Sequence, residues 1–296
     1  MNEIVVISGK GGTGKTSVTA SLALLAGRDA VVADCDVDAA DLHLLLAPDP
    51  DVEHPFAGGT LAVVDTQACS GCGACEQACR FEAIVVENGV AVVDDVDCEG
   101  CGYCARVCPE DAIVDERQTV GYWQNTSCRT GGAMVHARLG IGADNSGKLV
   151  AKVKAVAREE ARARNTALVL VDGAPGVGCP VVSSLSGADL VLLVTEPSVA
   201  GLHDLQRVYQ LVASFKLPAA CILNKADLHE GLRDQVLEFL TAEGIPLLAE
   251  LPYTTAVPAA LAAGKTMLEW DISLAARLRA AWQGVAEQLQ QSGRTP

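Results

Sequence analysis

Eight of the twelve cysteines fall within 40 residues, in two runs of the same spacing. Each run has the form C-x2-C-x2-C-x3-C. The members are Cys69, Cys72, Cys75 and Cys79 in the first run and Cys98, Cys101, Cys104 and Cys108 in the second. Thiolates at this spacing bind metal, and the doubled run is the pattern that holds two 4Fe-4S clusters. The cysteines therefore predict an iron–sulfur module.

In this motif the fourth cysteine of each run binds the cluster of the other run. The predicted ligand sets are Cys69, Cys72, Cys75 and Cys108 for one cluster, and Cys98, Cys101, Cys104 and Cys79 for the other. Glycines between the cysteines fit this use, because the backbone must come close to the sulfur atoms and donate N–H bonds to them. Pro109 follows the second run, whereas Arg80 occupies that place after the first, which removes no ligand.

Zinc is the alternative occupant, since paired C-x2-C elements also bind zinc. Two matched runs of four cysteines without a histidine favour clusters over zinc. Of the cysteines outside the runs, Cys221 lies in an apolar strand-like segment and is expected in the core. Whether Cys128 or Cys179 binds a further metal or cluster is left open by the sequence.

A glycine-rich segment near the N-terminus matches the phosphate-loop pattern G-x4-G-K-[ST]. It consists of Gly9, Lys10, Gly11, Gly12, Thr13, Gly14, Lys15 and Thr16, followed by Ser17. A strand-like run precedes it and a helix-like run follows, as the motif requires. Backbone N–H groups and the helix N-terminus would hold phosphates, Lys15 would reach the β- and γ-phosphates, and Thr16 would bind Mg²⁺. The segment predicts a site for ATP and Mg²⁺.

Carboxylates follow two further strand-like runs. Asp34, Asp36 and Asp38 follow the second strand, and Asp172 ends the apolar run Leu-Val-Leu-Val-Asp. A carboxylate at a strand end suits Mg²⁺ held through water, and the water that attacks a γ-phosphate needs an acceptor in line with it. These aspartates are therefore candidates for both tasks.

The version Lys-Gly-Gly-Thr-Gly-Lys-Thr, beginning at Lys10, resembles the deviant phosphate loop of the MinD/ParA/Mrp group of P-loop ATPases. The resemblance implies that Lys10 crosses a dimer interface to the partner's nucleotide and that ATP closes the dimer. It also implies that Asp36 positions the attacking water, with Asp38 as the alternative. By the same resemblance, Asp34 and Asp172 support Mg²⁺.

Two more segments resemble this group. Asn224 ends a strand-like run and corresponds to an adenine-contacting asparagine, with Pro252 and Tyr253 lining the base. The chain as a whole resembles MinD-type ATPases that carry an inserted ferredoxin domain, because the ATPase motifs flank the cysteine runs. The partners implied are a second copy of the chain or a paralogous ATPase, bound in a nucleotide-dependent way.

The elements that must position these groups alternate between strand and helix outside the cysteine runs. Strands are predicted at 3–8, 30–33, 60–64, 167–172, 189–195, 219–223 and 246–250, and helices at 16–26, 42–46, 145–164, 202–215, 230–243 and 272–291. This order predicts an α/β P-loop fold with a mostly parallel sheet flanked by helices. An inserted α+β ferredoxin-like domain is predicted at 65–118, between ATPase segments 1–64 and 119–296.

Charge and hydropathy exclude several classes of protein. The net charge is −15, and residues 66–118 contain 11 Asp or Glu against three Arg and no Lys. This charge argues against nucleic-acid partners and against stable membrane association. No apolar run approaches the roughly 20 residues of a membrane span, and the N-terminus has no basic flank. We therefore expect a cytoplasmic protein.

Three functions are compatible with these sites. The first is ATP-gated electron transfer from the clusters to an acceptor protein, which the acidic insert would steer towards its own surface. The second is assembly or carriage of an iron–sulfur or metal cluster, as in Mrp-like relatives, although no C-x-x-C follows Cys108. The third is spatial positioning in the manner of MinD or ParA, against which the non-basic stretch 272–296 argues.

Overall fold

The computed structural model describes residues 1–140 and 146–291. The chain folds into two units. Of the described residues, the first contains Met1–His54, Trp123–Arg138 and residues 146–291, and the second contains Pro55–Tyr122 with Leu139 and Gly140. The second unit begins earlier and ends later than the predicted insert, 65–118, because the strands on both sides of the cysteine runs extend beyond the sequence pattern.

The strands are β1 (Asn2–Ile7), β2 (Ala30–Asp34), β3 (His54–Val64), β4 (Ile84–Glu87), β5 (Val90–Val93), β6 (Ile113–Ser127), β7 (Ala133–Leu139), β8 (Leu168–Asp172), β9 (Leu190–Thr195), β10 (Ala219–Asn224) and β11 (Leu247–Leu251). The helices are α1 (Lys15–Ala26), α2 (Leu42–Leu46), α3 (Ala74–Ala78), α4 (Tyr103–Val107), α5 (Ser146–Arg164), α6 (Cys179–Leu185), α7 (Val199–Ser214), α8 (Glu230–Ala242), α9 (Ala256–Ala262), α10 (Met267–Trp270) and α11 (Ile272–Gln291).

The first unit is built on a parallel sheet with the strand order β11-β10-β9-β1-β8-β2-β7. Its central strands are buried along their whole length, which explains why they consist almost entirely of Val, Ile, Leu and Ala. The predicted α/β fold with a mostly parallel sheet is confirmed. One face of the sheet packs against the apolar faces of α1 and α11, and together they form one core cluster.

The register of this sheet brings distant polar residues to one edge. Val6 of β1 pairs with Asp172 of β8, and Asp172 in turn pairs with Asp34 of β2. The segment that follows β1 is the glycine-rich loop. Since the carboxyl ends of parallel strands meet at one edge, the loop and the two aspartates share that edge, where ligands bind in open α/β sheets.

The second unit contains an antiparallel hairpin and two short helices. Strands β4 and β5 pair across a turn at Asn88 and Gly89, whose φ angles of 53° and 82° are both positive, as in the favoured hairpin turns. Helices α3 and α4 have five residues each. Its core cluster contains Ala62, Cys75, Ile84, Ala91, Cys104 and Ile113.

Several elements differ from the sequence prediction. Strand β3 begins at His54 rather than at residue 60, because pairing with β6 extends it through a glycine-containing segment. No strand was predicted between residues 65 and 166, yet β6 and β7 lie there and so does the hairpin of β4 and β5. Helices of four to seven residues were missed, since one or two turns show no periodicity; these are α3, α4, α6, α9 and α10. Residue 145, the predicted start of the helix 145–164, lies outside the described residues.

A buried ion pair joins α5 to the start of β1. Lys154 Nζ lies 2.8 Å from Glu3 Oε1, and the two side chains are 2% and 3% exposed. Lys154 also donates to the Ser186 carbonyl at 2.9 Å. Burial lowers the pKa of Lys154, and the pairing with Glu3 opposes this.

Replacing Lys154 with alanine is expected to destabilise the fold by about 2–3 kcal/mol, because it removes one of the two cations that contact the buried Glu3 carboxylate. The other cation remains, since Arg158 Nε lies 2.6 Å from Glu3 Oε2. Urea denaturation of the two variants measures the effect. Lys148→Ala, an exposed lysine on the same helix, serves as the control and should change the free energy of unfolding by less than about 0.5 kcal/mol. Equal changes in the free energy of unfolding for Lys154→Ala and Lys148→Ala would contradict the stabilising role of the buried ion pair.

Candidate functional site

The phosphate loop connects β1 to α1 and is braced by the end of β10. Gly14 caps α1 with a φ angle of 92°, and a Cβ atom there would lie 2.3 Å from the Asn224 side-chain nitrogen. That nitrogen donates to the Thr13 carbonyl at 2.8 Å. Only glycine meets both the conformational and the spatial demand at this position. In the described part of the chain, the buried Thr13 hydroxyl has no hydrogen-bond partner and is free to bind a ligand.

The loop lines a cavity of about 800 Å³, a size typical of cofactor sites. Residues from Gly11 to Ser17 line it, together with Asp36, Asp38, Asn224, Pro252 and Tyr253. Most of the residues predicted to bind nucleotide are thus brought together. Gly9 instead lies against the backbone of α7, where a Cβ atom would approach Asp204 to 2.4 Å.

Lys15 is the buried cation of this cavity. Its Nζ lies 3.0 Å from Asp172 Oδ1 and 3.3 Å from Asp36 Oδ2, with 6% of the side chain exposed. Burial opposes its charge, but the carboxylates of Asp172, Asp36 and Asp34 outweigh burial and raise the pKa of Lys15. Lys15 is therefore a fixed positive charge at the helix N-terminus, where it suits phosphate.

Asp172 is held from several sides at the end of β8. The hydroxyl of Thr16 donates to Oδ2 at 2.8 Å, and the hydroxyl of Thr19 donates to Oδ1 at 2.8 Å. Thr19 was missed by sequence reasoning; the available signal was its position three residues after Thr16, on the same face of α1. These contacts fix the carboxylate beside the hydroxyl that is expected to bind Mg²⁺.

Asp34 is fully buried next to Asp172. Its carboxylate accepts from the backbone N–H groups of Asp36 at 3.2 Å and Leu42 at 3.3 Å. Burial and then the charge of Asp172 hold the pKa of Asp34 well above its usual value, although Lys15 acts in the opposite direction. The carboxyl groups of Asp34, Asp36 and Asp172 form an oxygen-rich donor set, and a set of this kind fits Mg²⁺.

Asp36 and Asp38 both line the cavity but differ in environment. Asp36 is 9% exposed and contacts Lys15, whereas Asp38 is exposed. Burial raises the pKa of Asp36, and the charge of Lys15 lowers it. The geometry favours Asp36 over Asp38 as the acceptor that faces the phosphate end of the cavity.

The second unit contains two small cavities, each lined by four cysteines. One is lined by Cys69, Cys72, Cys75 and Cys108, and the other by Cys79, Cys98, Cys101 and Cys104. These are the two sets that the motif assigns to separate clusters, with the fourth cysteine exchanged between runs. Cys72 and Cys101 are exposed, whereas Cys75 and Cys104 are buried.

Backbone N–H groups point at two of these sulfurs. Ala91 N–H donates to Cys69 Sγ at 3.5 Å, and Ala112 N–H donates to Cys108 Sγ at 3.3 Å. Such bonds stabilise thiolates and tune a cluster's potential. Gly71 shows how closely the backbone packs, since its φ is 67° and a Cβ atom there would lie 2.2 Å from the Gly89 carbonyl oxygen. Four sulfur donors with N–H support fit an iron–sulfur cluster.

The other cysteines occupy different environments. Burial raises the pKa of Cys221 to about 12 on strand β10, where it lies in the core as expected. Cys35 is fully buried, Cys128 is buried with its Sγ 3.2 Å from the Thr130 hydroxyl, and Cys179 is exposed at the start of α6. Across residues 1–140 and 146–291, no group of three or more His, Cys, Asp or Glu side chains is arranged around a single metal ion.

Comparison with known families decides the class of the nucleotide site. The model of the CobQ/CobB/MinD/ParA nucleotide binding domain matches residues 4–267. The chain belongs to this family. It is therefore a P-loop protein of the MinD/ParA type, as the glycine-rich loop predicted, and the match says nothing about clusters in the second unit.

Two curated relatives come from Methanocaldococcus jannaschii. The uncharacterized protein MJ0578 is 32% identical over 253 residues, which cover 84% of this chain and 86% of the relative. The uncharacterized protein MJ0579 is 25% identical over 256 residues, which cover 76% and 81%. Their names carry no activity.

Solved structures of MinD and McdA share the fold. MinD of Pyrococcus horikoshii, solved with Mg-ADP, has 19% identity and a TM-score of 0.59 over 98% of each chain. The McdA(D38A)–ATP complex of Cyanothece has 14% identity and a TM-score of 0.56 over 100% of this chain and 98% of McdA. At such low identity the likeness confirms the P-loop fold and no more.

In this MinD/ParA-type chain, Lys10 forms an ion pair that sequence reasoning missed. Its Nζ lies 2.6 Å from Glu196 Oε1, while Lys225 Nζ lies 2.7 Å from Glu196 Oε2 and donates to the Gly12 carbonyl at 2.9 Å. Burial opposes the charge on Glu196, but hydrogen bonds from Lys10 and Lys225 outweigh it and lower its pKa. Glu196 follows strand β9 outside any motif, so no local signal marks it.

Within the described ranges, no helix has both the length and the apolar character that crossing a membrane requires.

Proposed function

We propose that this ATPase-family protein hydrolyses ATP and couples nucleotide-driven closure of a dimer to electron transfer from two 4Fe-4S clusters to a partner protein. One observation supports the coupling. The same chain contains a phosphate loop that lines a cavity and two further cavities that are each lined by four cysteines. We assign the ATPase to the first unit and the cluster module to the second, which contains the predicted insert 65–118 between the predicted ATPase segments 1–64 and 119–296.

The nucleotide is bound by the phosphate loop. Lys15 neutralises the β- and γ-phosphates, Thr16 and Asp172 hold Mg²⁺ with Asp34 behind them, and Asp36 accepts a hydrogen bond from the attacking water. The fixed position of Lys15 between two carboxylates supports these roles, because a preorganised charge needs no rearrangement when charge moves in the reaction. Asn224, Pro252 and Tyr253 line the adenine side.

The clusters are held by Cys69, Cys72, Cys75 and Cys108, and by Cys98, Cys101, Cys104 and Cys79. When bound, a 4Fe-4S cluster supplies one-electron exchange. The chain contributes thiolate ligands, N–H donors to sulfur and an acidic surface around both sites. That surface disfavours nucleic acid and anionic membranes as partners, and we place the protein in the cytoplasm.

The dimer forms with a second copy or with a paralogous ATPase. When it closes, the Lys10 side chain must turn away from its own subunit and towards the nucleotide of the partner. Glu196 holds Lys10 at 2.6 Å, so that pair must break before Lys10 can reach a partner's nucleotide. The pair is partly exposed, with Lys10 30% exposed, and an ion pair of this kind contributes no more than about 1 kcal/mol.

Glu196→Gln is therefore expected to lower the ATP concentration needed for dimerisation by about two- to fivefold, since it weakens the hold on Lys10. Sedimentation velocity across an ATP series measures this, and Lys10→Ala should remain monomeric with ATP. Glu238→Gln, an exposed glutamate on α8, is the matched control. Unchanged dimerisation in Glu196→Gln, or ATP-dependent dimers of Lys10→Ala with full turnover, would contradict the cross-dimer role.

The coupling itself is tested with anaerobically reconstituted protein. The reduced protein is mixed with ATP or with ADP, and the cluster potential and the rate of electron transfer to a dye acceptor are recorded. We expect ATP, but not ADP, to shift the potential, and Lys10→Ala to lose that shift while retaining its iron. Equal potentials with both nucleotides, together with transfer of iron to an apo-acceptor, would favour cluster assembly instead.

A MinD/ParA-type positioning function is the second candidate, and the solved relatives favour it. The Pyrococcus protein that shares the fold over 98% of this chain is named a septum site-determining protein. If this chain works in that way, a fluorescent fusion will redistribute with the ATP cycle, and serine substitutions in both cysteine runs will leave its distribution unchanged. Loss of the pattern in those variants would count against pure positioning.

A further inference from the structure

The two cysteine cavities are related by the internal repeat, yet they differ in the residues that line them beside the cysteines. Aligning the two cysteine runs places Ala74 opposite Tyr103 and Glu110 opposite Phe81. The cavity of Cys69, Cys72, Cys75 and Cys108 is lined by Ala74 and Glu110. The cavity of Cys98, Cys101, Cys104 and Cys79 is lined by Tyr103 and Phe81. The two aromatic residues of the segment 65–118 therefore lie at one cavity.

Phe81 and Tyr103, here called the aromatic rim, are exposed. Phe81 is 46% and Tyr103 is 53% accessible to solvent, and both line the cavity of Cys79, Cys98, Cys101 and Cys104. Exposed aromatic side chains next to a redox site gain little inside the monomer. They are, however, the residue types that most often anchor a protein–protein interface, because they bury a large area at a small entropic cost.

Charge defines what docks on the aromatic rim. Glu82 follows Phe81 in the chain and Glu99 lines the same cavity, and both are exposed. All 11 acidic residues of 66–118 are exposed, against three arginines. A second copy of this acidic surface would be repelled, as would nucleic acid. A partner with an apolar centre surrounded by Lys and Arg is complementary to both features.

We propose that the aromatic rim is the docking surface for a basic electron-exchange protein, so that the cluster site of Cys98, Cys101, Cys104 and Cys79 is the one that faces the partner. This inference rests on the proposed function, since it presupposes clusters in the two cavities. The other site, with Ala74 and Glu110 at its rim, offers no comparable anchor and lies behind the docking site in the order of electron exchange.

The test uses the full-length, iron-replete protein and zinc-substituted cytochrome c, kept in the dark so that it exchanges no electrons; this protein has lysines around an apolar porphyrin edge. Its affinity is measured by calorimetry at low salt. Phe81→Ala/Tyr103→Ala is expected to weaken binding about tenfold, in line with the loss of an interface anchor. The control is Val85→Ala/Val92→Ala, an exposed cross-strand pair, 42% and 46% accessible, which lines neither cavity and should change affinity less than twofold.

A second variant, with aromatic residues added at the other cavity, tests the proposal even if the first variant loses iron. Ala74→Tyr/Glu110→Phe adds aromatic residues at the other cavity, leaves the aromatic rim intact, and should strengthen binding or raise the number of sites from one to two. Equal affinity of all iron-replete variants overturns the docking surface and leaves the proposed function standing. A wild-type chain without iron and sulfide, by contrast, overturns the proposed function and the docking inference with it.

Discussion

Lys15→Ala is expected to lower the rate of ATP hydrolysis by about a thousandfold, the effect of removing a preorganised charge from a phosphoryl-transfer site. The reason lies in its surroundings. Lys15 is buried between Asp172 and Asp36, so no water replaces its charge, and these two carboxylates are left beside the phosphates without their cation. Steady-state phosphate release at saturating Mg-ATP measures the loss.

Two controls make this result specific. Lys148→Ala removes an exposed lysine from α5 and should retain full turnover. Iron content separates a local defect from misfolding, because Lys15 lies in the first unit and the cysteine cavities lie in the second. Turnover within tenfold of the wild type, in a variant that still binds ATP, would contradict the role assigned to Lys15.

Cys108→Ser is expected to remove about half of the iron, roughly four of eight atoms per chain, from the site that the first cysteine run builds. Cys108 belongs to the second run by sequence but lines the cavity of Cys69, Cys72 and Cys75. Cys79→Ser is the reciprocal variant and should deplete the other site. Iron and sulfide analysis with electron paramagnetic resonance of the reduced protein distinguishes the two remaining clusters.

The alternatives give different outcomes. If each run held its own metal, Cys108→Ser and Cys104→Ser would abolish the same signal, and the crosswise grouping would be wrong. Anaerobically purified protein with two zinc ions and no sulfide would exclude clusters altogether. Cys179→Ser, which removes an exposed thiol outside both runs, should keep all of the iron; a loss there would reveal a further ligand.

Together the two predictions separate the halves of the proposed function. Lys15→Ala should keep its clusters and lose turnover, whereas Cys108→Ser should lose one cluster and still bind ATP. Retention of ATP-dependent potential shifts in Lys15→Ala would show that binding, rather than hydrolysis, controls the clusters.

The sequence by itself determined the features that are local in the chain. The phosphate loop and the cysteine runs are contiguous, and their chemistry depends on spacing that a few residues set, so both are predictable from the order of residues alone. The strands of the parallel sheet are also predictable, because strands buried on both faces have an apolar composition that a short window of sequence reveals. The family match agrees with the loop and with the fold.

Only the tertiary structure decided which distant groups meet. Thr19 orients Asp172 from α1, and Glu196 holds Lys10, because the register of parallel strands brings the ends of β1, β8 and β9 together from far apart in the chain. The aromatic rim arises in the same way, since Phe81 follows the first run and Tyr103 lies in the second, and both line the cavity that takes Cys79 from the first run. Local patterns encode the parts of each site, whereas long-range packing determines their neighbours.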